Sequence, residues 1–314
     1  MARPLRIEYP GAFYHITSRG IEQKAIFQDD KDRDKFLYYL ETAHQRYGAV
    51  IHVYCLMDNH YHLLLETPLG NLSQIMKHIN GAYTTYYNIK RLRAGHLFQG
   101  RYKALLIEVD EYAGELSRYL HLNPVRAKIV NKPEEYKWSS YRSYLGIERP
   151  AKWLTLELIL SYFGVDTNTS LREYGYFVDA LTGNDYQSPL KKVTASTILG
   201  GLGFIKEIKE KYLNSSTINR DVPALTELKK AVITEIDQVV KEVFKGDINL
   251  IKKASIYICH RYSGRTLKEI GRHFQIGESG VSKASQRFCE LLENDKEIKK
   301  KVEYICNSLS LSNA

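Results

Sequence analysis

Two extended segments joined by only two residues constrain the fold of this chain more than any other feature. Residues 50–57 and 60–66 both have strand patterns, and the Asp-Asn pair between them is of the kind that tight turns favour. Successive side chains of a strand point to opposite faces, so His60 and His62 project from one face and Tyr61 from the other. The pattern predicts two central strands of an antiparallel sheet, with a core on the Tyr61 face and two imidazoles on the opposite face.

The segments around this hairpin complete a mixed order of strands and helices. Further strand patterns lie near residues 12–18 and 102–109, and helical patterns lie near residues 30–46 and 71–92. The helix near 71–92 has an apolar stripe behind Asn71, a residue type that caps helix N-termini. The resulting βαββαβ order is that of a ferredoxin-like antiparallel sheet with helices on one face, which places this region in the α+β class.

The two histidines can bind one divalent ion if other groups supply further ligands. A candidate helix follows, for which Asp110 is the predicted N-cap and Pro124 marks the predicted end. Tyr119 and Asn123 are four residues apart on it and therefore share a face. A tyrosine hydroxyl, with an ordinary pKa of about 10, is a poor nucleophile unless a cation lies nearby, and a metal that also polarises a phosphate meets both needs. The Asn123 amide would complete the metal shell. The alternative is that Tyr119 is a packing residue.

Five blocks of residues resemble one protein family and occur in that family's order. They read PGAFYHITSRG at 10–20, LMDNHYHLLL at 56–65, GHLFQGRYKA at 95–104, YLHLNPVRA at 119–127 and WSSY at 138–141. This region resembles the REP-associated tyrosine transposases, which are single-tyrosine HUH transposases. The residue between the two histidines is usually aliphatic in that family and is Tyr61 here. Because Tyr61 faces the predicted core, we expect the metal pair to be intact.

The resemblance implies a reaction and a role for each residue of the site. His60 and His62 would be metal ligands, Tyr119 the nucleophile, and Asn123 the polar residue that helps to bind the metal. The implied enzyme is an endonuclease that cuts and rejoins single-stranded DNA at palindromic REP-like hairpins through a 5′-phosphotyrosine intermediate. Mg²⁺ would be the cofactor, with Mn²⁺ able to substitute. The protein would be a monomer or a homodimer, and Tyr119 would serve either its own histidine pair or that of a partner.

The net charge of +9 agrees with a polyanionic partner. Basic residues beside aromatic ones are a better indicator, because Arg and Lys pair with phosphates while aromatic rings stack on unpaired bases. The candidates for DNA contact near the predicted site are Arg3, Arg6, Arg19, Arg101, Lys103, Arg118 and Arg126, with Tyr102 as a stacking ring. The alternative for each of them is an ordinary solvated basic surface.

The rest of the chain has helical patterns. Because 314 residues exceed the usual size of a single core, we expect three parts, which are a nuclease domain, a helical connecting region and a DNA-binding domain at residues 1–145, 146–245 and 246–314. Residues 267–288 fit two helices around a turn, which is typical of a helix-turn-helix. Residues 250–305 resemble the DNA-binding domain of the bacterial replication initiator DnaA, which implies contact with duplex DNA. The DNA-facing residues would be Ser279, Lys283, Gln286 and Arg287, whose alternative is a solvated helix face.

Two other functions remain open. One is a DNA-binding regulator without catalysis. The other is a metal-dependent hydrolase in which His15, His60 and His62 bind the metal and water is the nucleophile, so that no protein–DNA adduct forms. The sequence shows neither a signal-peptide pattern nor an apolar run of about 18 residues, so we expect a cytoplasmic, nucleoid-associated prokaryotic protein with no membrane partner.

Overall fold

The chain folds into two compact units. In this computed structural model the described residues are 6–183, 188–193, 197–213, 233–246, 248–263 and 265–309. The N-terminal unit comprises residues 5–216, and the C-terminal unit comprises the chain from residue 217 onward. Packing within the N-terminal unit therefore continues past residue 145, where the sequence predicted a boundary. The functional division into three parts stays a prediction.

One sheet forms the centre of the N-terminal unit. In its described part the strands are β1 (Ala12–Arg19), β2 (Val50–Met57), β3 (His60–Thr67), β4 (Lys103–Ile107) and β5 (Ile198–Leu199). They lie in the order β2-β3-β1-β4-β5. The pairs among β1 to β4 are all antiparallel, which is the ferredoxin-like arrangement and confirms the α+β fold predicted from the sequence. The strand β5 runs parallel to β4 and was not predicted, because two residues are too few to show an alternating pattern.

The described helices of the N-terminal unit are α1 (Asp30–Tyr47), α2 (Leu72–Lys90), α3 (Val109–His121), α4 (Asn123–Arg126), α5 (Tyr141–Tyr144), α6 (Glu157–Leu160), α7 (Thr167–Asp179) and α8 (Leu202–Leu213). The first two begin and end close to the predicted positions. One predicted cap is wrong, and the other is confirmed in position. Asp110 lies within the first turn of α3. Asn71 holds the N-cap position of α2, but its side chain donates to the carbonyl of Tyr47 at 3.0 Å and so ties α1 to α2.

Helices cover both faces of the sheet. Phe36 of α1 packs on Tyr61 with ring centroids 4.6 Å apart, and the Tyr61 hydroxyl donates to the amide oxygen of Asn80 of α2 at 2.6 Å. Tyr119 of α3 instead contacts the ring of His62, on the opposite face. The two helices of the βαββαβ unit thus share one face as predicted, and α3, which follows that unit, lies on the histidine face. Helical periodicity shows which side of a helix is buried but not which face of a sheet buries it.

Residues that follow α4 cover the outer edge of β2. The main-chain nitrogen of Leu56 donates to the carbonyl of Trp138 at 2.9 Å, and that of Ser140 donates to the carbonyl of Tyr54 at 3.0 Å. An uncovered edge strand presents unpaired donors and acceptors to other chains. The N-terminal unit thus protects this edge with its own chain.

The C-terminal unit is helical in its described part. Its helices are α9 (Ile233–Val243), α10 (Ile248–Tyr262), α11 (Leu267–Phe274), α12 (Glu278–Asn294) and α13 (Lys296–Ser308). Thr266 begins α11 with a capping box, in which its hydroxyl accepts from the main chain of Glu269 and the Glu269 carboxylate accepts from the main chain of Thr266. Gln275 ends α11 with φ +55°. The helical C-terminal region is therefore confirmed, while its likeness to the DnaA domain stays a prediction. Among the described residues, no helix has both the length and the apolar character that crossing a bilayer requires.

Candidate active site

Polar residues of three strands share the histidine face of the sheet. Side chains directly opposite each other on antiparallel strands point to the same face. His60 lies opposite Arg19, and His62 lies opposite Thr17. On the other side of β1, Lys103 lies opposite Thr17. Two imidazoles and two basic side chains are thus placed side by side.

Each histidine of the pair is held through its Nδ1 atom. The Nδ1 of His60 lies 2.6 Å from the amide oxygen of Asn59, which can only accept, so this nitrogen carries the proton. The Nδ1 of His62 lies 3.0 Å from Nε2 of the buried His15. The rings of His60 and His62 have centroids 4.9 Å apart. Within the described part of the chain, neither ring has a hydrogen-bond partner at Nε2.

The surroundings keep these imidazoles neutral. Burial lowers the pKa of His15 to about 4, and burial together with the charge of Arg19 lowers the pKa of His60. Burial, and then the nearby His15, His60 and Arg126, hold the pKa of His62 well below its usual value. A neutral imidazole with a free nitrogen is the form that binds a metal, so the pair fits a divalent ion. Among the described residues no group of three His, Cys, Asp or Glu side chains could hold a metal, so further ligands would be oxygens of an amide, water or DNA phosphate.

Tyr119 lies on α3 beside the histidine pair. Its ring centroid is 6.5 Å from that of His62, and its side chain is half-buried. The amide nitrogen of Asn123 donates to the main-chain carbonyl of Tyr119 at 3.1 Å. Because α3 ends at His121 and α4 begins at Asn123, Tyr119 and Asn123 do not lie on one continuous helix as predicted. The structure brings Tyr119 to the histidines, while the metal role of Asn123 stays a prediction.

A basic cleft of about 590 Å³ opens beside His60. It is lined by Thr17, Ser18, Arg19, Gln23, Asn59, His60, Gln99, Arg101 and Lys103. Its three basic residues are exposed, and Arg19 donates to the amide oxygen of Gln99 at 3.0 Å. A positively charged groove is the surface that a single-stranded nucleic acid backbone follows.

A protein-family model matches the N-terminal part of the chain. Residues 9–123 match the family model described as IS200-like transposase. This region resembles the IS200-like transposases. The likeness to a transposase inferred from the motif blocks is thereby confirmed, at the level of IS200-like transposases, for residues 9–123, called the IS200-like region below.

The chain was also compared with solved structures and with curated proteins. A structure described as a REP-associated tyrosine transposase bound to a REP hairpin aligns with 53% of this chain and 93% of its own, at 12% identity and a TM-score of 0.41. No curated protein matches the sequence.

Two predicted DNA contacts of the IS200-like region and its N-terminal flank are engaged elsewhere. Arg6 donates to the main-chain carbonyl of Tyr102 at 2.7 Å. Its guanidinium lies 3.8 Å from the centroid of the Tyr102 ring and so covers the ring that was predicted to stack on bases. Arg118 is buried, pairs with Glu115 at 2.5 Å and donates to the carbonyl of Phe177 at 3.0 Å. The prediction that Arg118 contacts DNA is therefore wrong, because its side of α3 faces α7 rather than solvent.

The remaining predicted DNA contacts are placed as follows. Arg126 is exposed and lies over the Tyr119 ring, and Arg3 lies outside the described residues. On α12 the predicted DNA-facing side chains are all exposed, and they are Ser279, Lys283, Gln286 and Arg287. Their exposure allows DNA contact, which stays a prediction.

The sequence reasoning missed the residues that hold the site in place. Asn59 and Gln99, both inside the motif blocks, orient His60 and Arg19. An amide next to a histidine is a signal that could have been used. Phe177 of α7 lies outside the IS200-like region, and only tertiary packing places it against α3.

Proposed function

We propose that the N-terminal unit is a metal-dependent transesterase that cuts and rejoins single-stranded DNA at palindromic hairpins. The observation that carries the proposal is the position of Tyr119, whose ring centroid is 6.5 Å from that of His62, on the face where two neutral imidazoles lie together. A tyrosine beside metal-type nitrogen ligands suits nucleophilic attack on a phosphate. The match of residues 9–123 to IS200-like transposases supports this class of reaction.

The chain offers a defined set of groups for the metal. The Nε2 atoms of His60 and His62 would hold it, with the amide oxygen of Asn123 as a proposed third ligand. When bound, Mg²⁺, or Mn²⁺ in its place, supplies Lewis-acid polarisation of a phosphate oxygen. Asn59 fixes the orientation of the His60 ring by accepting a hydrogen bond from its Nδ1 atom. For His62 to offer Nε2, its Nδ1 must donate to Nε2 of His15, so His15 fixes the second ring.

The proposed reaction exchanges one phosphodiester for another. The hydroxyl oxygen of Tyr119 forms a bond to phosphorus, and the bond from phosphorus to the 3′ oxygen of the preceding nucleotide breaks. The phenolic proton passes to solvent, and the departing oxygen gains a proton. The products are a 5′-phosphotyrosine and a 3′-hydroxyl, so a 3′-hydroxyl can later attack the phosphotyrosine and rejoin DNA without ATP. Arg19 and Lys103 would bind the backbone phosphates on either side.

The decisive test looks for the covalent intermediate. The protein is incubated with Mn²⁺ and a labelled pool of single-stranded DNA hairpins that have randomised flanks, and adducts that survive SDS are isolated and sequenced. We expect an adduct with the wild type and none with Tyr119→Phe. The exposed Tyr176 of α7 provides a matched control, and Tyr176→Phe should form the adduct normally. Cleavage without an adduct would instead identify the water-using hydrolase, and binding without cleavage would identify the regulator.

The metal assignment has its own test. His60→Ala should abolish adduct formation at any Mg²⁺ or Mn²⁺ concentration, and chelation with EDTA should do the same to the wild type. His78 lies on α2, where it contacts Thr42 of α1, so His78→Ala is the matched control and should retain activity. An active His60→Ala variant would contradict the assignment.

The proposal extends to partners and location. A DNA hairpin with a short flanking motif would occupy the cleft, and the exposed face of α12 would contact duplex DNA through Lys283 and Arg287. Both partners fit a prokaryotic protein that works in the cytoplasm at the nucleoid.

A further inference from the structure

Arg126 is placed on the nucleophile itself. Its guanidinium carbon lies 4.7 Å from the centroid of the Tyr119 ring. A guanidinium over an aromatic face is a favourable contact that holds both groups in one orientation. The side chain is exposed, and no carboxylate pairs with it among the residues that the structure describes. Its charge is therefore available to a substrate.

The helix α4 follows α3 after a single residue and ends at Arg126. The side-chain amide nitrogen of Asn123 donates to the main-chain carbonyl of Tyr119 at 3.1 Å, in the last turn of α3. The main-chain nitrogen of Arg126 then donates to the carbonyl of Leu122 at 3.0 Å within the next turn. A residue seven positions after Tyr119 is thereby brought back over its ring. The arrangement is built by the segment that directly follows the nucleophile and is not a chance contact between distant loops.

We propose that Arg126 is a catalytic residue of the Tyr119 reaction rather than one of several general DNA contacts. The inference rests on the proposed transesterase function. Attack by the tyrosine oxygen increases negative charge on the phosphoryl oxygens, and a guanidinium beside the attacking group can donate two parallel N–H bonds to them. A stationary donor at that point stabilises the transition state more than the bound substrate, so its removal lowers the rate more than the affinity.

The experiment separates rate from binding with hairpins recovered from wild-type adducts. The dissociation constant is measured by anisotropy on the Tyr119→Phe background, so that no cleavage occurs. The rate of adduct formation is measured in single turnovers at saturating DNA. The variants are Arg126→Ala and Arg126→Lys, with Lys128→Ala as the control that removes one positive charge from an exposed position two residues away.

Arg126→Ala should slow adduct formation by roughly 10- to 100-fold and change the dissociation constant by less than about threefold. Arg126→Lys should recover only part of the rate, because an ammonium lacks the planar pair of donors. Added methylguanidinium should raise the rate of Arg126→Ala but not that of Lys128→Ala. An unchanged rate with weakened binding, as in Lys128→Ala, would overturn the inference while leaving the proposed function standing. Failure of the wild type to form any adduct would overturn the proposed function, and the inference with it.

Discussion

Replacing Arg118 distinguishes a DNA contact from a contact that holds the fold together. Its guanidinium lies 3.8 Å from the centroid of the Phe177 ring, donates to the Phe177 carbonyl at 3.0 Å and pairs with Glu115 at 2.5 Å. The side chain of Arg118 is only 10% exposed and that of Glu115 is 40% exposed. A desolvated cation–π contact is worth about 2 kcal/mol, a hydrogen bond from a charged donor about 1.5–3 kcal/mol, and a half-exposed ion pair up to about 1 kcal/mol.

These contributions overlap because one guanidinium makes all three contacts, so their sum is an upper bound. Methionine retains part of the apolar stem, and Glu115 can turn to water. We therefore expect Arg118→Met to lower the free energy of unfolding of the N-terminal unit by roughly 3 kcal/mol. For a unit of this size the loss corresponds to a melting temperature lower by about 6–12 °C.

The assay is urea unfolding followed by tryptophan fluorescence. The chain has two tryptophans, Trp138 and Trp153, and both lie in the N-terminal unit, so the signal reports that unit alone. Arg172→Met is the matched control, since Arg172 of α7 is 60% exposed and its loss should cost less than about 0.5 kcal/mol. The reasoning would be refuted by an unchanged urea midpoint together with weaker binding of single-stranded DNA and a salt dependence shallower by about 0.7 in slope, which is the signature of a phosphate contact.

Two further predictions follow from other charged groups. Asp32 is fully buried and accepts from Lys90 at 2.6 Å and from Arg91 at 2.8 Å. Asp32→Asn should therefore destabilise the N-terminal unit by roughly 3 kcal/mol in the same urea assay. An unchanged midpoint would show that water satisfies the two partly exposed cations. On α12, replacing both Lys283 and Arg287 by alanine should weaken binding of duplex DNA, measured by anisotropy, and leave the rate of adduct formation unchanged. Loss of adduct formation in that variant would contradict the separate role of the C-terminal unit.

The order and type of the main elements could be read from local patterns. Strand alternation places His60 and His62 on one face, and the register with β1 confirms it, since both lie opposite β1 residues of that face. The helical spacing of α1 and α2 and the turn between β2 and β3 are likewise properties of neighbouring residues. Such signals can be recognised without knowledge of the rest of the chain, because each depends on backbone geometry over a few residues.

Other features of the fold and the site depend on which surfaces of helices and strands pack against each other. The same helical pattern that identifies α3 does not say that it packs on the histidine face or that Arg118 turns toward α7. Pro124 predicts that the helix ends near Asn123, and α3 ends at His121, yet only the folded chain shows Arg126 lying over the Tyr119 ring.

The sequence by itself determined the ferredoxin-like order of elements, the shared face of the histidine pair and the choice of Tyr119 as candidate nucleophile. The tertiary structure decided which basic residues remain exposed, which are used internally, and how α7 supports the helix that carries Tyr119. The physical reason is the range of the interactions. Periodicity and capping act between residues a few positions apart, whereas Arg118 and Phe177 are 59 positions apart and meet only when the whole unit has packed.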